Sequence, residues 1–145
     1  MPTQRTAFID DDFCFACGQK NPLGLALSFD VREDGTCATE FTAAAHHQGF
    51  AGILHGGLIA TIADDLMNNH LFRGFGVYTA TAELSTRFKA PAPLGEPLVF
   101  TSRRTAARGK VHEMECDVRK KSDGSLLAVC KGRFIEVSVP SAKIL

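Results

Sequence analysis

The chain has 145 residues, 45% hydrophobic and 22% charged, which is one domain's length with an ordinary soluble composition. Sixteen basic residues balance sixteen acidic ones, so the basic excess of a nucleic-acid binder is missing. No apolar run reaches a membrane span and the polar N-terminus lacks a signal-peptide core, so the expectation is a cytoplasmic protein with no membrane partner.

Residues 1–12, ending in Asp10-Asp11-Asp12, read as a loose arm on a single domain spanning residues 1–145. Five cysteines, an odd number without a secretion signal, point to reduced thiols. Cys14-x-x-Cys17 offers half of a zinc site, but no second pair follows. It reads as a tight turn with buried thiols, and no metal is expected. Asn21-Pro22-Leu23-Gly24 is a turn. Leu25, Leu27, Phe29 and Val31 alternate on one face of a strand, and Glu33-Asp34-Gly35 turns it into a return strand over Thr36–Thr42. The spacing of Ile59, Ile62, Ala63 and Leu66 predicts a helix from Gly57 to Phe72, with Asn68-Asn69-His70 at a fraying end. Four β segments follow: Val77–Ala90, Glu96–Thr105, Lys110–Lys120 and Ser125–Val139. One long helix followed by antiparallel strands is an α+β pattern. The long segment Val77–Ala90 would need covering if it lay at a sheet edge.

The chemistry concentrates in His55-Gly56-Gly57 and the helix behind it. A helix start presents unpaired N–H groups and positive potential, and glycines let a ligand approach them closely. Such an end holds a phosphate or polarises a carbonyl oxygen. Gly57 and Asp64 are seven residues apart, or two turns, so they share a face and the aspartate leans back towards the glycines. Asp65 lies on the other flank of the apolar stripe, and periodicity does not choose between the two acids.

His-Gly-Gly followed by an apolar helix and an acid nine residues after the histidine resembles the hotdog-fold thioesterases, in particular the phenylacetic-acid-degradation (PaaI-like), acyl-CoA thioesterase 13-like group. Cys14-Phe15-Ala16-Cys17-Gly18, Asn21-Pro22-Leu23-Gly24-Leu25, His47-Gln48-Gly49-Phe50 and Phe88-Lys89-Ala90-Pro91-Ala92-Pro93-Leu94-Gly95-Glu96 fit the same group. The resemblance spans residues 13–139. It implies a hotdog, with a curved antiparallel sheet wrapped around a central helix. It also implies a homodimer or homotetramer with the active site at the subunit interface.

The implied reaction is hydrolysis of acyl-CoA without a cofactor. The resemblance maps the carbonyl-polarising N–H to Gly56, with Gly57 beside it, and the base or nucleophile to Asp64, acting across the interface. It places Thr81 where a hydroxyl orients the water. His55 reads as fixing the loop by hydrogen bonding rather than as a general base. Relatives carry an asparagine six residues before the motif histidine; that position is Gly49 here, and the adjacent Gln48 offers the same amide. Phe50, Leu54, Met67, Leu71 and Tyr78 are expected around the acyl group. Arg87, Lys89 and Arg108, among other basic residues of the later strands, are expected to meet the coenzyme A phosphates. A non-catalytic acyl-CoA binder is the second reading and a hotdog hydratase the third.

Overall fold

The computed structural model describes residues 12–138. The tail after Pro140 and the expected arm, apart from Asp12, lie outside the described residues. The elements are β1 (Asp30–Val31), β2 (Cys37–Thr42), α1 (Gly56–Phe75), β3 (Thr79–Phe88), β4 (Pro97–Arg108), β5 (Val111–Lys120) and β6 (Leu126–Glu136). The strands form one antiparallel six-stranded sheet in the order β1-β2-β4-β5-β6-β3. The helix touches every strand, so the sheet curves around it in a hotdog.

The apolar stripe on α1 explains that wrapping. Ile59, Ile62, Ala63 and Leu66 are buried, as are Met67 and Leu71 one turn later. They pack on Leu98 and Phe100 of β4, Met114, Cys116 and Val118 of β5, and Leu127, Cys130 and Phe134 of β6. Alternation on the strands sets these inward faces, most regularly on β5, where every second residue from His112 to Val118 is buried.

The helix begins one residue before the expected start and ends three residues later. At its start, the His55 side chain accepts the Gly57 N–H. Its end is set by Gly76, whose φ of 70° is left-handed and whose N–H reaches the carbonyls of Leu71 and Phe72. His70 is not at a fraying end. It is buried, Nε2 donates to the Gly35 carbonyl at 2.9 Å, and Nδ1 accepts from the Ser102 hydroxyl at 3.0 Å. Burial lowers its pKa, so the ring is held neutral.

The expected strand Leu25–Val31 shrinks to Asp30–Val31. Ala26 has a φ of 50°, which breaks the extended run. The N–H groups of Leu25 and Leu27 bond instead to the carbonyls of Phe15 and Ala16 in the cysteine turn. Leu27 is still buried and Leu25 and Phe29 pack against the core, but Val31 is exposed.

One edge of the sheet is β1, only two residues long; the other is β3, ten residues long and largely exposed. Long exposed edges invite pairing with another chain.

Candidate active site

The start of α1 opens onto a groove of about 890 Å³. Its walls include Gln48, Phe50, Leu54, His55, Gly56 and Ile59 on one side and Phe88 to Ala92 on the other. The lining is mainly apolar, with Phe50 86% exposed and Phe88 55% exposed. His55 Nδ1 accepts the Gly57 N–H at 2.9 Å, so that donor is already engaged. The proton of a neutral ring is then on Nε2. Gly56 lines the groove at the positive end of the helix, and no group among the described residues accepts its N–H. A Cβ at Gly56 would stand 3.0 Å from the Phe88 ring, so glycine lets that ring close over the helix start.

The two aspartates separate cleanly. Asp64 is half-buried and its Oδ1 accepts the Thr81 hydroxyl of β3 at 2.6 Å. Burial raises its pKa above the ordinary aspartate value, and the Thr81 hydrogen bond opposes that shift in part. A network extends behind it. Asn68 donates to Thr81 Oγ1 at 3.0 Å and to the Asp64 carbonyl at 3.2 Å, and Thr79 donates to Asn68 Oδ1 at 2.9 Å. The sequence reading missed Asn68. Its signal was the spacing of four from Asp64, which puts both on one helix face. Asp65 points to the opposite flank, where the Cys14 thiol donates to its Oδ1 at 3.7 Å.

The shared face of Gly57 and Asp64 does not make one site within one chain. Gly56 and Asp64 are eight residues apart, about 12 Å along the helix axis. Asp64 is turned onto β3 and does not line the groove. A donor and a base acting on one carbonyl need contacts of about 3 Å each.

Other expected residues divide between the groove and elsewhere. Gln48 lines the groove, and its Oε1 accepts the Gly52 N–H at 3.2 Å. Gly49 lies against His55; a Cβ there would stand 3.3 Å from the His55 Cα. Phe50, Leu54 and Lys89 line the groove; Met67 and Leu71 do not, being wholly buried in the core. Tyr78 stacks on Phe72 at 4.8 Å, away from the groove. Arg87 is exposed on β3 near the groove's end. Arg108 lines a separate depression with Glu113 and Arg133 at the β4–β5 turn. Along β6, the rows pairing with Phe88 and with Thr79 are eight residues apart, about 26 Å, and Arg108 belongs to the distant end. One protomer therefore does not bring Arg108 and Lys89 to one ligand.

Residues 51–127 match the family model of the thioesterase superfamily, and the chain belongs to that family. It is 31% identical over 124 residues to the acyl-coenzyme A thioesterase THEM4 of Bos taurus, covering 85% of this chain and 51% of the relative. The chain thus spans about half the length of that curated relative. Among solved structures, the thioesterase superfamily protein RHA08564 aligns with a TM-score of 0.78 at 30% identity, covering 83% of this chain and 61% of that one. The PaaI protein of the E. coli phenylacetic acid degradation operon aligns with a TM-score of 0.71 at 15% identity, covering 79% and 82%. The fold is therefore that of PaaI and its neighbours. Among the described residues, no helix is long and apolar enough to cross a membrane.

Proposed function

We propose that the chain hydrolyses acyl-CoA thioesters at a site built by two copies of itself. The observation that carries this is a half-buried carboxylate, Asp64, held by the Thr81 hydroxyl on the same helix whose glycine start, at Gly56, lines the apolar groove. The acyl-coenzyme A thioesterase named among the relatives supports the substrate class.

The thioester carbonyl oxygen sits at the Gly56 N–H, where the helix dipole stabilises the developing negative charge. His55 holds the loop by accepting from Gly57. Asp64 of the second copy, as the carboxylate, takes a proton from a water that attacks the carbonyl carbon, or attacks that carbon itself to give a mixed anhydride that water then cleaves to the free acid. The tetrahedral intermediate collapses by breaking the C–S bond, and the thiolate leaves to collect a proton as free CoA. The acyl chain lies along Phe50, Leu54 and Phe88. Lys89 and Arg87, at the end of β3, meet the phosphates of the coenzyme. The β3 edge and the exposed Phe50 and Phe88 are what a second copy would cover.

The reading is tested by thiol release from short, long and aromatic acyl-CoA esters. Release from at least one class is expected. Binding of every ester without release would instead support a non-catalytic acyl-CoA binder, and hydration of crotonyl-CoA without thiol release would support a hydratase.

A pH dependence follows from the Thr81 contact. The base must be ionised, so kcat/KM falls as pH drops through the Asp64 pKa. Thr81→Val removes the hydrogen bond that lowers this pKa. The acidic limb of the pH–rate profile is expected to move to higher pH in that variant, with the neutral plateau reduced about tenfold by loss of orientation. An unmoved limb would show that Asp64 is not the titrating base.

A further inference from the structure

On the flank of α1 away from Asp64, three candidate metal donors meet. Ligand atoms of Cys14, Cys17 and Asp65 all lie within 4.8 Å of one another. They come from two elements: the turn before β1 and the middle of the helix. The Cys14 Sγ to Asp65 Oδ1 separation is 3.7 Å. In tetrahedral zinc, with Zn–S about 2.3 Å and Zn–O about 2.0 Å, sulfur and oxygen ligands stand about 3.5 Å apart. The widest separation in the cluster exceeds a sulfur–sulfur edge by no more than about 1 Å, which small side-chain rotations close.

The turn itself is shaped around sulfur. The Cys17 N–H donates to Cys14 Sγ at 3.5 Å, a contact that strengthens when the sulfur is a thiolate. The Gly18 N–H closes onto the Cys14 carbonyl at 2.8 Å. A Cβ at Gly18 would fall 2.4–2.6 Å from the Asp12 carbonyl and the Cys14 backbone, so only glycine permits this turn. The carbonyls of Phe15 and Ala16 are tied to Leu25 and Leu27, which anchors both cysteines to the core.

We propose that Cys14, Cys17 and Asp65 form a zinc site that fastens the cysteine turn to α1. Two thiolates select a soft or borderline ion over magnesium or calcium. Two thiolates and a carboxylate carry three negative charges, of which a divalent ion offsets two. A fourth position is taken by water or by the second oxygen of Asp65. The ion would clamp the helix one residue from the active carboxylate, without touching the thioester.

The test uses the full chain, reduced and stripped with a chelator. It is titrated with Zn²⁺ against a chromophoric competitor and, separately, with Co²⁺. Expected are about one zinc per chain, a higher thermal midpoint with zinc, and a cobalt spectrum with a thiolate charge-transfer band and tetrahedral visible bands. Asp65→Asn is expected to weaken zinc about tenfold or more, and Cys17→Ser to cut the charge-transfer band by about half, leaving the share of the Cys14 thiolate. No stoichiometric uptake, or a cobalt spectrum without the sulfur band, overturns the proposal. If Cys17→Ser fails to fold, Asp65→Asn still decides: zinc affinity equal to wild type in that near-isosteric variant also overturns it.

Discussion

Asp64→Asn is expected to lower kcat/KM for acyl-CoA hydrolysis by about 10³-fold, the middle of the range that a positioned base contributes. Asparagine keeps the shape of the side chain and an oxygen for the Thr81 hydroxyl, so binding of substrate and the fold should survive. Asp65→Asn should lose less than about tenfold, because its carboxylate faces the cysteine turn on the other flank. Stability gives an independent check. Burial raises the Asp64 pKa in the folded chain. A carboxyl with a raised folded pKa contributes stability below its unfolded pKa and loses that contribution as pH rises through the folded value. Above its folded pKa the ionised Asp64 therefore costs stability, and there Asp64→Asn should melt at or above the wild-type temperature while being inactive. Steady-state thiol release and thermal melts at pH 7 and pH 4 measure both. Equal losses in the two variants would remove Asp64 from its role, and a destabilised Asp64→Asn would show that the carboxylate serves the fold.

Much of this site was legible because it depends on spacing. The stripe Ile59, Ile62, Ala63 and Leu66 fixes which face of α1 is buried, and Gly35, Gly109 and Gly124 mark three turns at positive φ. The acids on the two flanks follow from the same periodicity. What spacing could not supply is the partner on the facing element. Asp64 meets Thr81, 17 residues on, and Asp65 meets Cys14, 51 residues earlier. Periodicity alone left the two adjacent aspartates equal, and those contacts separate them. Asn68 was hidden for a related reason: asparagine in a helix's second half resembles a helix-ending residue until its amide is seen bridging Thr79 and Thr81. Met67 misled because an apolar residue near the acid fits a pocket or a core equally well in one dimension. The strand at Leu25 had correct alternation, but its backbone was claimed by the cysteine turn, a tertiary contact that overrides local pattern.

The composite site makes a second large prediction, which needs a variant that removes the Gly56 donor and leaves the helix in place. Gly56→Pro is suited to this. Gly56 is the first helical residue, where proline is tolerated because its N–H makes no intrahelical bond. His55 has φ −58° and ψ 127°, a conformation that the residue before proline accepts. The added ring meets the half-exposed Phe88, which can swing aside. Loss of the donor is expected to lower kcat by about 10²–10³-fold. Now mix Gly56→Pro with Asp64→Asn after unfolding or subunit exchange. If each site takes Asp64 from one copy and Gly56 from the other, a mixed dimer holds one site with both residues intact and one with neither. Random pairing makes half the dimers mixed, so activity should recover to about a quarter of wild type. If both residues acted within one chain, every site in the mixture would lack one of them and no recovery would occur. A tagged mixed dimer, isolated by tandem affinity, should reach about half of wild type per dimer. Recovery would place the carbonyl between two helices, which is the geometry that an axial separation of about 12 Å within one helix requires.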